Sequence, residues 1–387
     1  METRSSDGPA QPLFLTRLLA WSDDWVQPWR AVQPTAYLLL GTVMTAAMTW
    51  IVLGYWLGPV AIFLQTSIVL APVALLAVIA FVAGEQRFTQ FLSWALLAFI
   101  LLCGGAFCVG LGWAPGARKS LPWELGLGAL LAGCVVPIAI LPGFRRLCFG
   151  AEDGTGWTHI RLIAFATAVS LTLMMLWPLV CLGMTPFEWA VADPRDRQKF
   201  LQGIANGSAS PILANLSTLG WVLVVTPLLV GYGIRRNARQ TIARLGLRPV
   251  TKRQWLAVLL LIPGLLAASE VLSLGVDFLW QRLGWRTTDR ALLDMAVQLG
   301  PWPWGALLAA VTAGVTEEIV LRGVLQPRIG ILFSNLFFTS LHAIQYSWDG
   351  LLSVFFVGMV MAVIRKKTST SVSTLVHTGY DLVLMLA

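Results

Sequence analysis

The feature that most limits the possible folds of this chain is a series of long windows without any Asp, Glu, Lys or Arg. Such windows include 31–84, 88–117, 125–144, 162–187, 200–234 and 295–316. Each window can hold one helical crossing of a bilayer, which takes about 20 residues, and the first can hold two. The sequence therefore predicts a multi-pass integral membrane protein.

The composition agrees with this prediction and excludes several classes of protein. Of the 387 residues, 57% are apolar and 12% are charged, and a soluble domain carries about twice that charged share. A secreted domain, a nucleic-acid-binding domain and a cytosolic enzyme are therefore excluded. The five cysteines are odd in number and four lie in apolar stretches, which favours small buried apolar side chains over disulfides or a CxxC metal site.

Hydropathy predicts an all-α polytopic transmembrane helix bundle with about eleven helices. The predicted crossings lie near 36–57, 60–83, 91–113, 121–142, 161–184, 211–233, 255–279, 303–328, 329–347, 350–364 and 371–387. With the N-terminus in the cytoplasm, 19 of the 27 Lys and Arg residues fall on the cytoplasmic side. This bias follows the positive-inside rule and fixes the predicted orientation.

The chain is predicted to divide into three parts. Residues 1–35 form a cytoplasmic or interfacial segment, 36–254 a transmembrane helical scaffold, and 255–387 a C-terminal transmembrane bundle that holds the candidate functional residues. The scaffold ends in the basic cytoplasmic loop 235–253, whose positive charges are expected to meet the anionic headgroups of the lipid bilayer. No eukaryotic targeting or lipidation motif is visible, so the bacterial cytoplasmic membrane is the predicted location.

Ionisable residues enter the predicted membrane spans almost only after residue 255. Those of interest are Glu270, Glu317, Glu318, Arg322, His342, His377 and Asp381. A charged group near the middle of a bilayer costs at least about 2.5–3.5 kcal/mol, so these side chains are expected to face the interior of the bundle. Such residues mark a functional site, with a structural pairing network as the alternative.

The spacing of these residues predicts which of them face each other. Glu318 and Arg322 are four residues apart, so they can pair on one helix face, while Glu317 is turned about 100° away. Phe338 and His342 are also four residues apart, as are His377 and Asp381. Measured from the cytoplasmic ends of the predicted spans, Glu317, His342 and His377 lie at similar depths of roughly 15–20 Å.

The residues alone allow three functions. A carboxylate beside a neutral histidine can activate water to attack a peptide carbonyl, and a second histidine can stabilise the oxyanion. The residues Glu317, His342, His377 and Asp381 also form a plausible zinc shell. A proton-coupled membrane transporter, using the same residues as an intramembrane relay, and a non-catalytic membrane scaffold are the other candidates.

Three motifs in residues 300–387 resemble those of the CPBP family, the CAAX proteases and bacteriocin-processing enzymes that are also called Abi. The family pattern is EExxxR, FxxxH and HxxxN/D on successive transmembrane helices. Here these positions are Glu317, Glu318 and Arg322, then Phe338 and His342, then His377 and Asp381. The resemblance implies an intramembrane endopeptidase of the glutamic type.

The resemblance also implies a role for each residue. Glu317 and His342 would activate water, Glu318 and Arg322 would support them, and His377 with residue 381 would stabilise the oxyanion. The chain has Asp381 where the better-known form has Asn, and an ionised aspartate cannot donate a hydrogen bond. Asp381 is therefore protonated, orients His377, or binds a metal. No cofactor is expected, with zinc as the alternative.

The expected partner is a membrane-associated protein or peptide substrate, and no nucleic acid. Prenylated C-terminal tails, bacteriocin leaders and the sorting tails of surface proteins all remain open, because no residue of the sequence selects among them.

Overall fold

The predicted all-α architecture is confirmed. A computed structural model describes the chain at residues 71–82, 87–112, 126–128, 130–134, 138, 141–149, 159–195, 197–198, 211–290 and 303–387. These residues are mainly helical, and no β-strand occurs among them. The fold is therefore a helix bundle throughout the described part of the chain.

The helices with defined limits are numbered α1 to α12 in chain order. They are α1 Ala71–Val82, α2 Arg87–Gly112, α3 Pro142–Phe149, α4 His159–Leu182, α5 Pro186–Ala190, α6 Pro211–Leu229, α7 Ala238–Leu245, α8 Lys252–Leu283, α9 Trp304–Glu317, α10 Gln326–Leu341, α11 Trp348–Lys367 and α12 Thr370–Leu386. A π-helix, Glu318–Leu325, joins α9 to α10, and a short 3₁₀ turn, His342–Ile344, follows α10.

Five described segments are long and apolar enough to cross a membrane. They are Phe88–Ala106, His159–Leu182, Lys252–Leu283, Trp304–Ile344 and Trp348–Lys367. The predicted crossings at 161–184, 255–279 and 350–364 agree with α4, α8 and α11 to within a few residues. These segments are those of an integral membrane protein, as predicted.

Two predicted crossings, 303–328 and 329–347, form one helical run with a kink at Gly330. Gly330 has φ 80° and ψ 176°, a conformation that is essentially restricted to glycine. The kink separates α9 and the π-helix from most of α10, and it lies within two residues of the predicted boundary. The π-helix was not predicted.

Several predicted segments lie partly or wholly outside the described residues. The N-terminal segment 1–35 and the crossing at 36–57 lie wholly outside, whereas the crossings at 60–83 and 121–142 are described only in part. The cysteine prediction is partly wrong: Cys103 and Cys134 are exposed on their helices. Because lipid surrounds such a surface, a small apolar side chain is tolerated there without burial.

Capping residues fix the limits of the helices around the predicted basic loop 235–253. That loop contains α7, which begins after the N-cap Asn237 in a capping box with Gln240 and ends at Gly246, with φ 74°. A second capping box, Thr251 with Gln254, begins α8. Such reciprocal hydrogen bonds satisfy backbone N–H groups that a helix start leaves unpaired. The loop is therefore ordered, rather than an extended connection between two spans.

The predicted N-terminal scaffold packs directly on the C-terminal bundle. Phe165 of α4 lies 5.0 Å, ring to ring, from Phe333 of α10, and α6 packs along α9. Within the C-terminal bundle, Leu265 of α8, Met361 of α11 and Val376 of α12 share one buried cluster. The division of the chain at residue 254 stays a prediction, since helices from both sides build a common interior.

The two ends of the bundle differ in chemistry. One end, called the basic end below, carries Arg236, Arg244, Arg328 and Arg365. At the other end, Thr288 in the segment after α8 donates its backbone N–H and its hydroxyl to the Asp349 carboxylate at the start of α11. By the positive-inside rule, the basic end is the predicted cytoplasmic end.

Candidate active site

The junction of α9 and the π-helix carries Glu317, Glu318 and Arg322. Glu318 and Arg322 are fully buried, and the Arg322 Nε atom lies 3.5 Å from the Glu318 Oε2 atom. Arg322 Nη2 donates to the Gly358 carbonyl of α11 at 2.9 Å, and its guanidinium carbon lies 5.0 Å from the Phe338 ring centroid. The predicted pair of Glu318 and Arg322 is therefore present, and it is tied to two neighbouring helices.

One face of α12 carries three polar side chains at four-residue intervals, Ser373, His377 and Asp381. The hydroxyl of Ser373 donates to the Glu318 carboxylate. His377 Nδ1 lies 3.1 Å from Glu318 Oε1, which makes Nδ1 the donor, because a carboxylate can only accept. His377 Nε2 therefore faces the other way, 3.4 Å from Asp381 Oδ2 and 3.8 Å from Glu317 Oε2.

The C-terminal end of α10 carries Phe338 and His342. His342 Nδ1 is 3.1 Å from the Phe338 carbonyl; since that oxygen can only accept, Nδ1 is the donor. In the neutral imidazole, Nε2 then holds the free lone pair. The Phe338 ring lies edge-on to both imidazoles, with centroids 4.8 Å from His342 and 6.3 Å from His377, so it lies close to both.

The cluster has a buried side and a partly open side. Glu318 and Arg322 are inaccessible, and the His377 side chain is 6% exposed. The side chains of Glu317 and Asp381 are 29% and 17% exposed. The two more accessible carboxylates therefore lie on the side to which His377 Nε2 points.

Small residues let the helices approach closely enough to make these contacts. A Cβ added at Gly314 of α9 would come within 2.2 Å of the Thr378 hydroxyl and 2.8 Å of its backbone nitrogen. A Cβ added at Gly358 of α11 would come within 2.6 Å of the Phe338 ring. Gly314 therefore allows α9, which ends at Glu317, to approach α12, which carries His377, and Gly358 allows α11 to approach α10, which carries Phe338.

The structure brings the predicted residues together but pairs them differently from the expectation. Glu317 contacts His377, and no hydrogen bond or ion pair joins Glu317 to His342 in the described part of the chain. Glu318 contacts His377 as well as Arg322. Glu270 lies exposed on α8.

Sequence reasoning missed Ser373, whose hydroxyl contacts Glu318. The signal was present, because Ser373 precedes His377 by four residues and therefore shares its helix face. Serine is common in transmembrane helices, however, so the spacing alone does not single it out.

The zinc alternative has no preformed ligand shell. Within the described residues, no group of three or more His, Cys, Asp and Glu side chains is arranged to hold a metal ion. His377 could offer only its Nε2 atom, because its Nδ1 donates to Glu318. We therefore derive no chemical step through a metal.

The comparisons with known proteins agree with the position of this cluster. Residues 299–383 match the family model described as type II CAAX prenyl endopeptidase Rce1-like. No significant match to the chain was found among curated proteins or among solved structures. The matched segment contains every residue of the cluster from Glu317 to Asp381, and it agrees with the resemblance to the CPBP family. The C-terminal part of this membrane protein is thus similar to the Rce1-like type II CAAX prenyl endopeptidases.

Proposed function

We propose that the protein is an intramembrane endopeptidase that hydrolyses a peptide bond of a membrane-associated substrate. The observation that carries this proposal is the contact of His377 with Glu317, Glu318 and Asp381 beside Phe338 and His342. Three carboxyl groups, two imidazoles and one guanidinium in one partly accessible cluster can take up, hold and return a proton, which is what amide hydrolysis requires.

In the proposed reaction, Glu317 is the general base. It takes a proton from a water molecule whose other hydrogen is accepted by the free lone pair of His342 Nε2. The water oxygen forms a bond to the scissile carbonyl carbon, and the carbonyl oxygen becomes an oxyanion. When the C–N bond breaks, the proton held by Glu317 passes to the leaving amine. The partial exposure of Glu317 supports this role, because the base must meet both water and substrate.

His377 is the proposed donor to the oxyanion, held in place by Glu318; as an imidazolium it carries a proton on each ring nitrogen, so Nδ1 donates to Glu318 and Nε2 donates to the oxyanion. The Nδ1 contact with Glu318 fixes the ring so that Nε2 points to the open side. Asp381 is 3.4 Å from Nε2, longer than a typical hydrogen bond. At this distance Asp381 leaves Nε2 free to meet the oxyanion. Its proposed role is therefore to orient His377 and balance its charge, rather than to contact the oxyanion. Arg322 neutralises Glu318, and Phe338 positions both imidazoles.

The test compares the termini of all membrane proteins in cells that express matched levels of four forms. These are the wild type, Glu317→Gln, His342→Ala and the control Glu270→Gln, which removes a carboxylate from the exposed side of α8. We expect new termini with the wild type and the control only, and loss of a general base reduces cleavage about 10²–10⁴-fold. Identical termini with all four folded forms would refute the proposal.

Two further measurements separate the alternatives. If a zinc chelator abolished cleavage by purified protein and added zinc restored it, a metal-dependent mechanism would replace the one above. If the protein in liposomes carried a pH-driven flux that Glu317→Gln abolished, and no new termini formed, the transporter would replace the peptidase. The new termini also identify the substrate class, whether prenylated tails, bacteriocin leaders or sorting tails. We propose the bacterial cytoplasmic membrane as the location of the protein.

A further inference from the structure

Four guanidinium groups come together at the basic end, away from the proposed catalytic cluster. They belong to four different parts of the chain: Arg236 precedes α7, Arg244 lies in α7, Arg328 near the start of α10 and Arg365 near the end of α11. Burial and the repulsion of Arg236 and Arg365 together lower the pKa of Arg244 to about 10. Like charges thus lie close enough here to repel one another.

Three of these arginines bind consecutive carbonyls of the π-helix. Arg365 Nε donates to the Arg322 carbonyl at 3.1 Å, Arg244 Nη1 to the Gly323 carbonyl at 2.9 Å, and Arg328 Nη1 to the Val324 carbonyl at 3.0 Å. Three charged side chains therefore converge on the second half of the π-helix. These bonds do not neutralise the arginines, because a carbonyl is uncharged.

No described carboxylate pairs with any of the four arginines. The ion pairs of the described residues involve Arg286, Arg290, Arg322 and His377 instead. Arg328 is buried, whereas Arg236, Arg244 and Arg365 are partly exposed, and only one nitrogen of each of these three donates to a carbonyl. Four positive charges therefore share a site whose remaining N–H donors are accessible from outside.

We propose that Arg236, Arg244 and Arg365, above the buried Arg328, bind the phosphate of an anionic phospholipid headgroup. Phosphate supplies the missing negative charge, and its oxygens match the paired N–H groups of guanidinium. The basic end is also the predicted cytoplasmic end, where anionic headgroups attract clustered Arg residues. The site goes beyond the proposed peptidase activity and does not depend on it.

The site is joined to the proposed catalytic cluster by the π-helix. Arg365 donates to the backbone carbonyl of Arg322, whose side chain pairs with Glu318. A bound phosphate reduces the repulsion among the arginines and so stabilises the bonds that hold this end of the π-helix. A bound anionic lipid is therefore expected to raise the thermal stability of the whole bundle.

The experiment uses the full-length protein, purified in a neutral detergent and depleted of lipid. Thermal unfolding and native mass spectrometry are recorded with added phosphatidylglycerol or phosphatidylcholine. We expect phosphatidylglycerol to be retained and to raise the unfolding midpoint, and phosphatidylcholine to do neither. The double variant Arg244→Gln with Arg365→Gln keeps amide donors but loses two charges, so its apparent affinity is expected to fall about fivefold per charge removed.

A matched control removes two charges from the predicted loop 235–253, which also holds Arg244, without touching the site. Lys252 and Arg253 are exposed at the start of α8, so Lys252→Gln with Arg253→Gln is expected to bind the lipid as the wild type does. Equal losses in the two double variants would refute a defined site in favour of general surface charge. Because the wild-type lipid comparison needs no variant, a failure of Arg244→Gln to fold does not prevent the test.

Two further ligands identify the source of the phosphate. Inorganic phosphate that raised the midpoint as much as the lipid would overturn the headgroup assignment in favour of a soluble anion. An acidic peptide that displaced bound phosphatidylglycerol and raised the midpoint further would overturn it in favour of a protein partner. No difference between the two lipids would refute the proposal outright.

Discussion

Glu317 and Glu318 are adjacent in sequence but have opposite environments. Glu318 is fully buried and is held by Arg322, His377 and Ser373. Glu317 is partly exposed, and its one ion-pair contact among the described residues, with His377, is 3.8 Å long. Glu318 is thus bound into the structure, whereas Glu317 is available to react.

This difference predicts opposite effects of the same substitution. Glu318→Gln leaves the buried Arg322 without a charge partner, so it is expected to lower the free energy of unfolding by about 3–5 kcal/mol. Glu317→Gln is expected to leave stability nearly unchanged and to abolish cleavage. Thermal unfolding in detergent measures the first effect and terminus analysis the second. A stable Glu318→Gln variant would show that the ion pair is not what holds the π-helix.

Ser373 is expected to affect stability and cleavage through its hydrogen bond to Glu318. Ser373→Ala removes the hydroxyl that donates to the buried carboxylate, so stability is expected to fall by about 1–3 kcal/mol and the cleavage rate with it. Thr374 is the control, because its buried hydroxyl has no hydrogen-bond partner among the described residues. Thr374→Val is therefore expected to be neutral or stabilising. Equal effects of the two changes in thermal unfolding would rule out a special role for Ser373.

At the scale of helices, the approach of α9 to α12 depends on Gly314. Gly314→Ala places a methyl group against the backbone of Thr378, so α12 must move and carry His377 away from Glu317. We expect a loss of about 1–3 kcal/mol in stability and a larger loss in cleavage. Gly275→Ala in α8 is the control, since nothing lies within 4 Å of its added Cβ. Wild-type cleavage by Gly314→Ala would contradict the proposed geometry.

The kink near the start of α10 is expected to depend on glycine at position 330. Gly330→Ala meets no steric obstacle from neighbouring residues, but its φ of 80° is strained for any residue with a Cβ. The expected loss of stability is about 1–3 kcal/mol. Gly220→Ala, in open space within α6, tests the substitution without this strain. Comparable unfolding midpoints of these two variants would show that the kink tolerates a side chain.

The helices were largely predictable from sequence, whereas their local irregularities were not. Charge-free windows and basic flanks indicate crossings because both features act along the chain itself. The four-residue spacing of Glu318 and Arg322 also predicted their pairing. The π-helix that carries them depends instead on bonds from Arg244 and Arg365 to its carbonyls, and such distant contacts leave no periodic trace in the sequence.

At the scale of the whole molecule, the charge distribution predicts which end faces the cytoplasm. In a cysteine-free background, one variant carries Arg195→Cys, between the crossings 161–184 and 211–233 on the predicted outer side, and the other carries Arg239→Cys, at the basic end. A membrane-impermeant maleimide added to intact cells is expected to label the first and not the second, and permeabilised cells are expected to show both. The reverse pattern would invert the topology and place the arginine site at the outer surface.

The sequence identified which residues form the candidate site, but it did not show which of them contact one another. The motifs identified Glu317, His342, His377 and Asp381, and the structure places Glu317 and Asp381 beside His377. Which histidine meets which glutamate depends on the packing of α9, α10 and α12 in three dimensions. Gly314 allows the close approach of α9 to α12, and glycine is too common in membrane helices to reveal such an approach beforehand.

The length of α8 makes the protein sensitive to membrane thickness. Its 32 residues include charged side chains at both ends, and the predicted crossing 255–279 spans about 38 Å, whereas the hydrocarbon core of a bilayer is about 30 Å thick. Such a hydrophobic mismatch is relieved by tilting or by extending beyond the core. Ile262 of α8 lies against Gly379 of α12, two residues from both His377 and Asp381. Acyl-chain length in the host membrane, through the tilt of α8, therefore acts on the helix that carries the candidate site.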